Sequence, residues 1–230
     1  MKKKVFSLMM TLLLAFIGVA RAEIVEIGVG GTTTNSYVPT YNLYNYSLTQ
    51  QIYTAEEIGT AGTINSIAFY CSSTGCTRTL DLYMVNTTKS SFAGTTDWIT
   101  VTAADKVFTG SVTMTVGAWN TITLDTPFAY DGVSNLALIV DDNTGSWTSS
   151  AYYYVFDATG MSIRVYSDPT NYDPMAPTAY SGTVMNVKNQ LQLDITPGGG
   201  GNVGNQLFAM QNGEDVETVV VGTRPNGCWM

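Results

Sequence analysis

The chain has 230 residues, 12% of them charged and 11% aromatic, with no histidine at all. That is long enough for one large domain, or a domain with a tail, and too poor in charge to resemble a helical enzyme. Ten basic residues stand against 18 acidic ones, and Lys2, Lys3, Lys4 and Arg21 all precede position 23; the remaining six basic and 18 acidic side chains leave a net charge of −12. Such a surface repels phosphate backbones and anionic lipid, which argues against nucleic-acid and membrane-surface partners. Without histidine, Ser-His-Asp and Cys-His hydrolases are excluded.

Residues 1–22 read as a secretory signal peptide: Met-Lys-Lys-Lys, an apolar run from Val5 to Val19, then Ala20-Arg21-Ala22. The apolar run is shorter than the roughly 20 residues a membrane span needs. An exported protein is expected from residue 23 on, extracellular or at the bacterial cell surface and not inserted in the membrane.

Residues 23–196 then carry about ten strand-like segments with almost no helical periodicity, the pattern of an antiparallel all-β sandwich. Glu23–Gly28 and Gln50–Tyr53 are short strands, and Thr54 is placed to cap a single helical turn. Gly62–Cys71 is a strand with a register change between Ile64 and Ile67. Thr77–Val85 alternates, with Leu80, Leu82 and Met84 on one face and Asp81, Tyr83 and Val85 on the other. The segment from Asn86 to Thr102 is expected to cross between two sheets. Lys106–Phe108 and Ser111–Val116 are two strands or one bent strand. Between Trp119 and Trp147, a strand to Leu124, a turn over 126–132 and an apolar strand Asn135–Val140 read as the central strand pair. Tyr152–Phe156, Ile163–Tyr166 and Val184–Ile195 complete the set. Long crossing connections favour a jelly-roll or Greek-key order of the galactose-binding-like kind. Residues 197–204 form a glycine-rich linker, and 205–230 a short β-hairpin or the start of a following, truncated domain.

Cys71 and Cys76 bracket Ser-Ser-Thr-Gly, and in an oxidising compartment a disulfide there would contribute about 2 kcal/mol. Cys228 has no partner in this scheme. The loop Asp141-Asp142-Asn143-Thr144-Gly145 gathers oxygen donors of the kind calcium takes, and equally those of a turn that caps a strand end. Asp168, Asn171 and Asp173 pose the same choice. A glycosidase needs two carboxylates, and Asp125, Asp131, Asp141, Asp142 and Asp173 are the candidates, though pairing among 18 acids is expected by chance. Trp98, Trp147 and Tyr152–Tyr154 could stack on sugars, fill a core or cover a loop; Tyr37, Tyr41, Tyr44 and Tyr46 read as a strand and loop packing on a sheet edge, with a sugar-stacking surface as the alternative. Asp141, Asp142, Asn143 and Trp147 are the candidate ligand-binding set.

The motifs Thr77-Arg-Thr-Leu-Asp-Leu-Tyr-Met, Thr126-Pro-Phe-Ala-Tyr-Asp-Gly-Val-Ser-Asn-Leu, Val140-Asp-Asp-Asn-Thr-Gly-Ser-Trp and Tyr166-Ser-Asp-Pro-Thr-Asn-Tyr-Asp-Pro carry a resemblance over residues 23–195. They resemble a β-sandwich module near the N-terminus of large exported Bacteroidetes proteins, often joined to fibronectin type III-like, adhesin or peptidase domains. The resemblance implies a non-catalytic module for adhesion or for binding carbohydrate or a host or bacterial surface protein, without a cofactor. The alternative is a structural spacer in a larger secreted protein or peptidase.

Overall fold

Alternation and β-branched content set the architecture. In the computed structural model, which describes residues 21–198, the strands in chain order are β1 (Glu23–Ile27), β2 (Thr34–Asn35), β3 (Tyr46–Tyr53), β4 (Gly62–Ser73), β5 (Cys76–Thr87), β6 (Lys106–Met114), β7 (Ala118–Tyr130), β8 (Asn135–Asp142), β9 (Tyr152–Ser167), β10 (Thr183–Asn189) and β11 (Leu191–Pro197). One helical turn, α1 (Ala55–Ile58), stands between β3 and β4. The signal peptide expected over 1–22, the linker beyond Gly198, the hairpin over 205–230 and Cys228 lie outside the described residues, save for positions 21 and 22.

Every strand pairing among the described residues is antiparallel, and the molecule is a two-layered all-β sandwich. One layer runs β1-β11-β4-β7 and the other β10-β9-β3-β8-β5-β6. Strand β9 belongs to both: its first residues pair with β2 and the end of β4, and its remainder pairs with β3 and β10. The main core fills the space between the layers. Ile64, Phe69, Ile122, Leu191 and Leu193 of the first layer meet Leu80, Leu82, Met84, Leu138 and Val140 of the second.

A second core covers the outer face of the second layer. Ile52, Tyr83, Ile139 and Ile163 point outward there and are roofed by Phe92, Trp98 and Val101. The segment 88–102 therefore does not cross between sheets. It lies over the sheet and joins β5 to its direct neighbour β6, because its aromatic side chains find a ready apolar face. Gly160 O accepts from Phe92 N at 2.7 Å and Thr95 O from Gly182 N at 2.7 Å, pinning it down.

Other boundaries moved for local reasons. Strand β7 continues through Pro127 to Tyr130, and between Thr123 and Phe128 its pairing with β4 shifts opposite Ile64 to Ser66, the register change expected in β4. Proline is tolerated there because β7 is an edge strand with an amide to spare. So Trp119–Leu124 and Asn135–Val140 are not a strand pair: β7 belongs to one layer and β8 to the other. The segment Val184–Ile195 is two strands that change layer at Gln190, whose backbone N–H donates to Tyr154 O at 2.9 Å. Conversely, Tyr152–Phe156 and Ile163–Tyr166 are one strand. Thr54 caps α1 as expected, accepting from Glu57 N at 3.2 Å while the Glu57 carboxylate accepts from Thr54 N at 2.7 Å.

Strand β1 lies beside β11, with Glu23 opposite Ile195. The chain therefore enters and leaves the sandwich at the same end, next to Gly62 of β4. The turn Thr74–Gly75 and the loop 143–151 sit at the other end.

Candidate functional site

Asp141 and Asp142 are the last residues of β8 rather than members of a loop, and consecutive strand side chains point to opposite faces. Asp142 faces inward and is fully buried. Its Oδ2 receives Arg78 Nε at 2.7 Å and Nη2 at 2.6 Å, and its Oδ1 receives the Thr144 hydroxyl at 2.6 Å. Arg78 spends its other donors on Ser146 O at 2.6 Å and Tyr44 O at 3.0 Å. Burial raises the Asp142 carboxyl, and Arg78 and Thr144 oppose that shift. All of these groups are consumed in tying two loops to the sandwich, which leaves Asp142 no free oxygen for a ligand.

Asp141 faces outward, opposite Asp81 of β5. Its Oδ2 accepts from Asn143 Nδ2 at 3.0 Å, and Asn143 Oδ1 accepts from Asn171 Nδ2 at 2.7 Å. Its Oδ1 is buried without a hydrogen-bond partner. Burial, with smaller contributions from Asp81 and Asp142, pushes the Asp141 carboxyl up to about 7. Lys106 pairs with Asp81 at 2.6 Å and offsets only a small part of the shift at Asp141. The expected set of Asp141, Asp142 and Asn143 is thus divided between two faces of a sheet. Among the described residues no group of three or more His, Cys, Asp or Glu side chains gathers where a metal ion could sit.

The remaining candidate carboxylates serve turns and strand ends separately. Asp131 accepts from Val133 N at 2.9 Å and Ser134 N at 2.8 Å, bonds that hold its carboxyl below the usual range. Asp173 accepts from Met175 N at 2.8 Å, Asp168 from Asn45 N at 3.2 Å, and Asp125 from Thr109 N at 2.9 Å. Cys71 and Cys76 are both buried free thiols in this structure. Cys76 Sγ accepts from Asn42 Nδ2 at 2.9 Å and contacts the Tyr153 hydroxyl, while burial pushes the Cys71 thiol up.

The expected aromatic platform is dispersed. Trp98 is buried in the outer core, its indole donating to Tyr180 O at 2.9 Å, and Tyr153 is in the main core. Trp147 is 68% exposed on its loop.

A different aromatic surface is assembled on the outer face of the first layer. Phe69 and Cys71 point inward on β4, so Tyr70 points outward; Tyr153 points inward on β9, so Tyr154 points outward. The register then places Tyr70 directly opposite Trp119 of β7. Tyr70 and Tyr154 are parallel, 6° apart with centroids at 4.5 Å, and Trp119 meets Tyr70 edge-on at 5.6 Å. These rings, Glu26, Gln190 and residues 29–32 line an open groove of about 370 Å³. Gln190 Nε2 donates to Gly31 O at 2.8 Å and Thr33 O accepts from Val155 N at 2.9 Å, so the wall is bonded to the sandwich. Gly28 lets that wall turn. Its φ is +69° and a Cβ there would lie 2.1 Å from the Phe156 ring. Glu26 is the one carboxylate lining the groove, and it accepts from Gln192 Nε2 at 2.8 Å.

Comparison with protein-family models, with curated proteins and with solved structures finds no match to this chain. Among the described residues no helix is long and apolar enough to cross a membrane.

Proposed function

We propose that the chain is a non-catalytic, exported β-sandwich module of a bacterial surface or secreted protein, and that it binds carbohydrate in the groove of Tyr70, Trp119 and Tyr154. The groove carries this reading. Sugars present an apolar C–H face and a rim of hydroxyls, which matches three aromatic rings beside a carboxylate and an amide. Glycoside hydrolysis needs two carboxyl groups flanking the bond, and this groove is lined by Glu26 alone. The leader-like residues 1–22 and the acidity of the rest support export.

The spacer alternative is the weaker one on geometric grounds. Entry and exit lie side by side at Glu23 and Ile195, so the module adds little length between its neighbours. Tyr70 lies eight residues along β4 from Gly62, which pairs with Pro197; at strand rise that is about 26 Å from the exit. The groove is presented away from the point where the chain continues.

A glycan array on the purified protein, followed by calorimetry on any hit, tests this. Trp119→Ala or Tyr70→Ala is expected to weaken the hit roughly tenfold with the melting temperature little changed. Absence of any ligand across a broad panel, or a hit indifferent to both substitutions, sinks the proposal.

A further inference from the structure

A second site is built around Arg164. Arg78, Lys89, Lys106 and Lys188 each sit 2.6 to 2.7 Å from an Asp or Glu oxygen. Arg164 has no such partner among the described residues, although the chain holds 18 acids. It projects from the middle of three strands, opposite Thr49 of β3 and Thr183 of β10. Instead of carboxylates it meets tyrosine rings: its guanidinium carbon is 3.9 Å from the Tyr37 centroid, 4.9 Å from Tyr166 and 5.4 Å from Tyr41. Tyr44 closes the cluster against Tyr166 at 4.3 Å. Ring faces attract the charge but accept none of its N–H bonds well. Nε donates to the Met185 sulfur at 3.2 Å, a weak acceptor. Nη1 is buried with no hydrogen-bond partner, a condition that calls for an explanation in a folded protein.

We propose that Arg164 and its tyrosines bind a carboxylated sugar, at a site separate from the aromatic groove. A guanidinium offers paired donors in a planar fork that a carboxylate's two oxygens match, and it cannot lose its charge. The four tyrosines are each partly exposed, so a pyranose ring finds stacking faces and hydroxyl partners beside the fork. Tyr37, Tyr41 and Tyr44 come from the segment between β2 and β3, whereas Arg164 and Tyr166 are fixed on β9. A ligand would reach Nη1 through movement of the loop that carries Tyr37, Tyr41 and Tyr44, whereas β9 holds the cation itself. The protein's overall negative charge does not forbid an acidic ligand here: solvent-exposed charges farther than about 10 Å are largely screened by salt, the Asp168 carboxylate at the edge of the cluster is engaged by Asn45 N, and the charge among the rings is that of Arg164.

Calorimetric or NMR titration of the purified protein with glucuronate, glucuronamide and acetate tests the site. Glucuronate is expected to bind at least about tenfold more tightly than either of the others, because only it has both the sugar ring and the carboxylate. Arg164→Gln is expected to abolish that preference, Arg164→Lys to retain part of it, and Trp119→Ala to leave it intact. Equal affinity for glucuronate and glucuronamide overturns the site without any variant, as does no glucuronate binding at millimolar concentration. Acetate binding as tightly as glucuronate overturns the sugar. Loss of the preference in Trp119→Ala assigns the ligand to the groove and overturns the separate site.

Discussion

Replacing Asp141 by Asn removes a buried carboxyl that has one unpartnered oxygen. Asp141 is only 4% exposed, its Oδ1 has no partner, and burial pushes its carboxyl from 3.8 to about 7. A carboxyl that titrates higher in the folded state favours folding when protonated, and that advantage disappears as pH rises. Below about pH 4 both states are protonated and the group is neutral in effect. From there to about pH 7 the unfolded chain ionises while the folded one does not, and stability falls by about 1.4 kcal/mol per pH unit. The gap of about three units amounts to about 4 kcal/mol at pH 8. Asn keeps the shape and the bond with Asn143 and cannot ionise. Urea denaturation of both proteins at about pH 4 and about pH 8 should show little difference at the lower pH. At the higher pH the Asn variant should be more stable by several kcal/mol. Parallel pH profiles for the two proteins would refute the assignment, and a less stable variant at pH 8 would show that the carboxylate is partnered in solution.

Arg78→Met should cost about 3–5 kcal/mol in urea denaturation, because it strands the buried Asp142 charge and two loop carbonyls; an Arg78→Met/Asp142→Leu double variant should recover much of it. Gly28→Ala should lose about 1–3 kcal/mol in thermal melts through its positive φ and the clash with Phe156, and should weaken any groove ligand as the wall shifts. In reduced native protein, Cys71 and Cys76 should resist a thiol reagent at neutral pH and react on denaturation; rapid native labelling would contradict their burial.

Much of the sandwich is legible in the chain because alternation is a local signal. Leu80, Leu82 and Met84 declare one face of β5 and the structure buries them together. What escapes is whatever depends on partners distant in sequence. Nothing local marks Gln190 as the point where a strand changes layer, since the alternation resumes at Leu191 as if uninterrupted. Pro127 reads as a turn because its tolerance in an edge strand depends on having no neighbour on one side. Tyr70, Trp119 and Tyr154 can each be judged outward-facing from their flanking residues, yet only the register of β4 against β7 and β9 brings them together. Asp141 and Asp142 show the opposite error: their neighbouring positions suggest one cluster, and strand geometry divides them.

That division separates two kinds of polar group at the end of the sandwich away from chain entry. A buried ion pair is a weak stabiliser beside apolar packing of the same volume, so the contribution of Arg78 and Asp142 is better sought in position than in energy. The donors of Arg78 are spread over three partners: Asp142, Ser146 O and Tyr44 O. Gly145 N donates to Asn45 O at 3.0 Å and Thr148 N to Asn42 O at 2.8 Å, so the two loops are also laced to each other. Tyr44 is held by this lacing, and it belongs to the ring cluster around Arg164. The buried, satisfied guanidinium of Arg78 therefore braces the loop beside half-buried Arg164, whose Nη1 lacks an acceptor, and a cation left short of acceptors within a braced surface is the arrangement that the proposed carboxylate site requires.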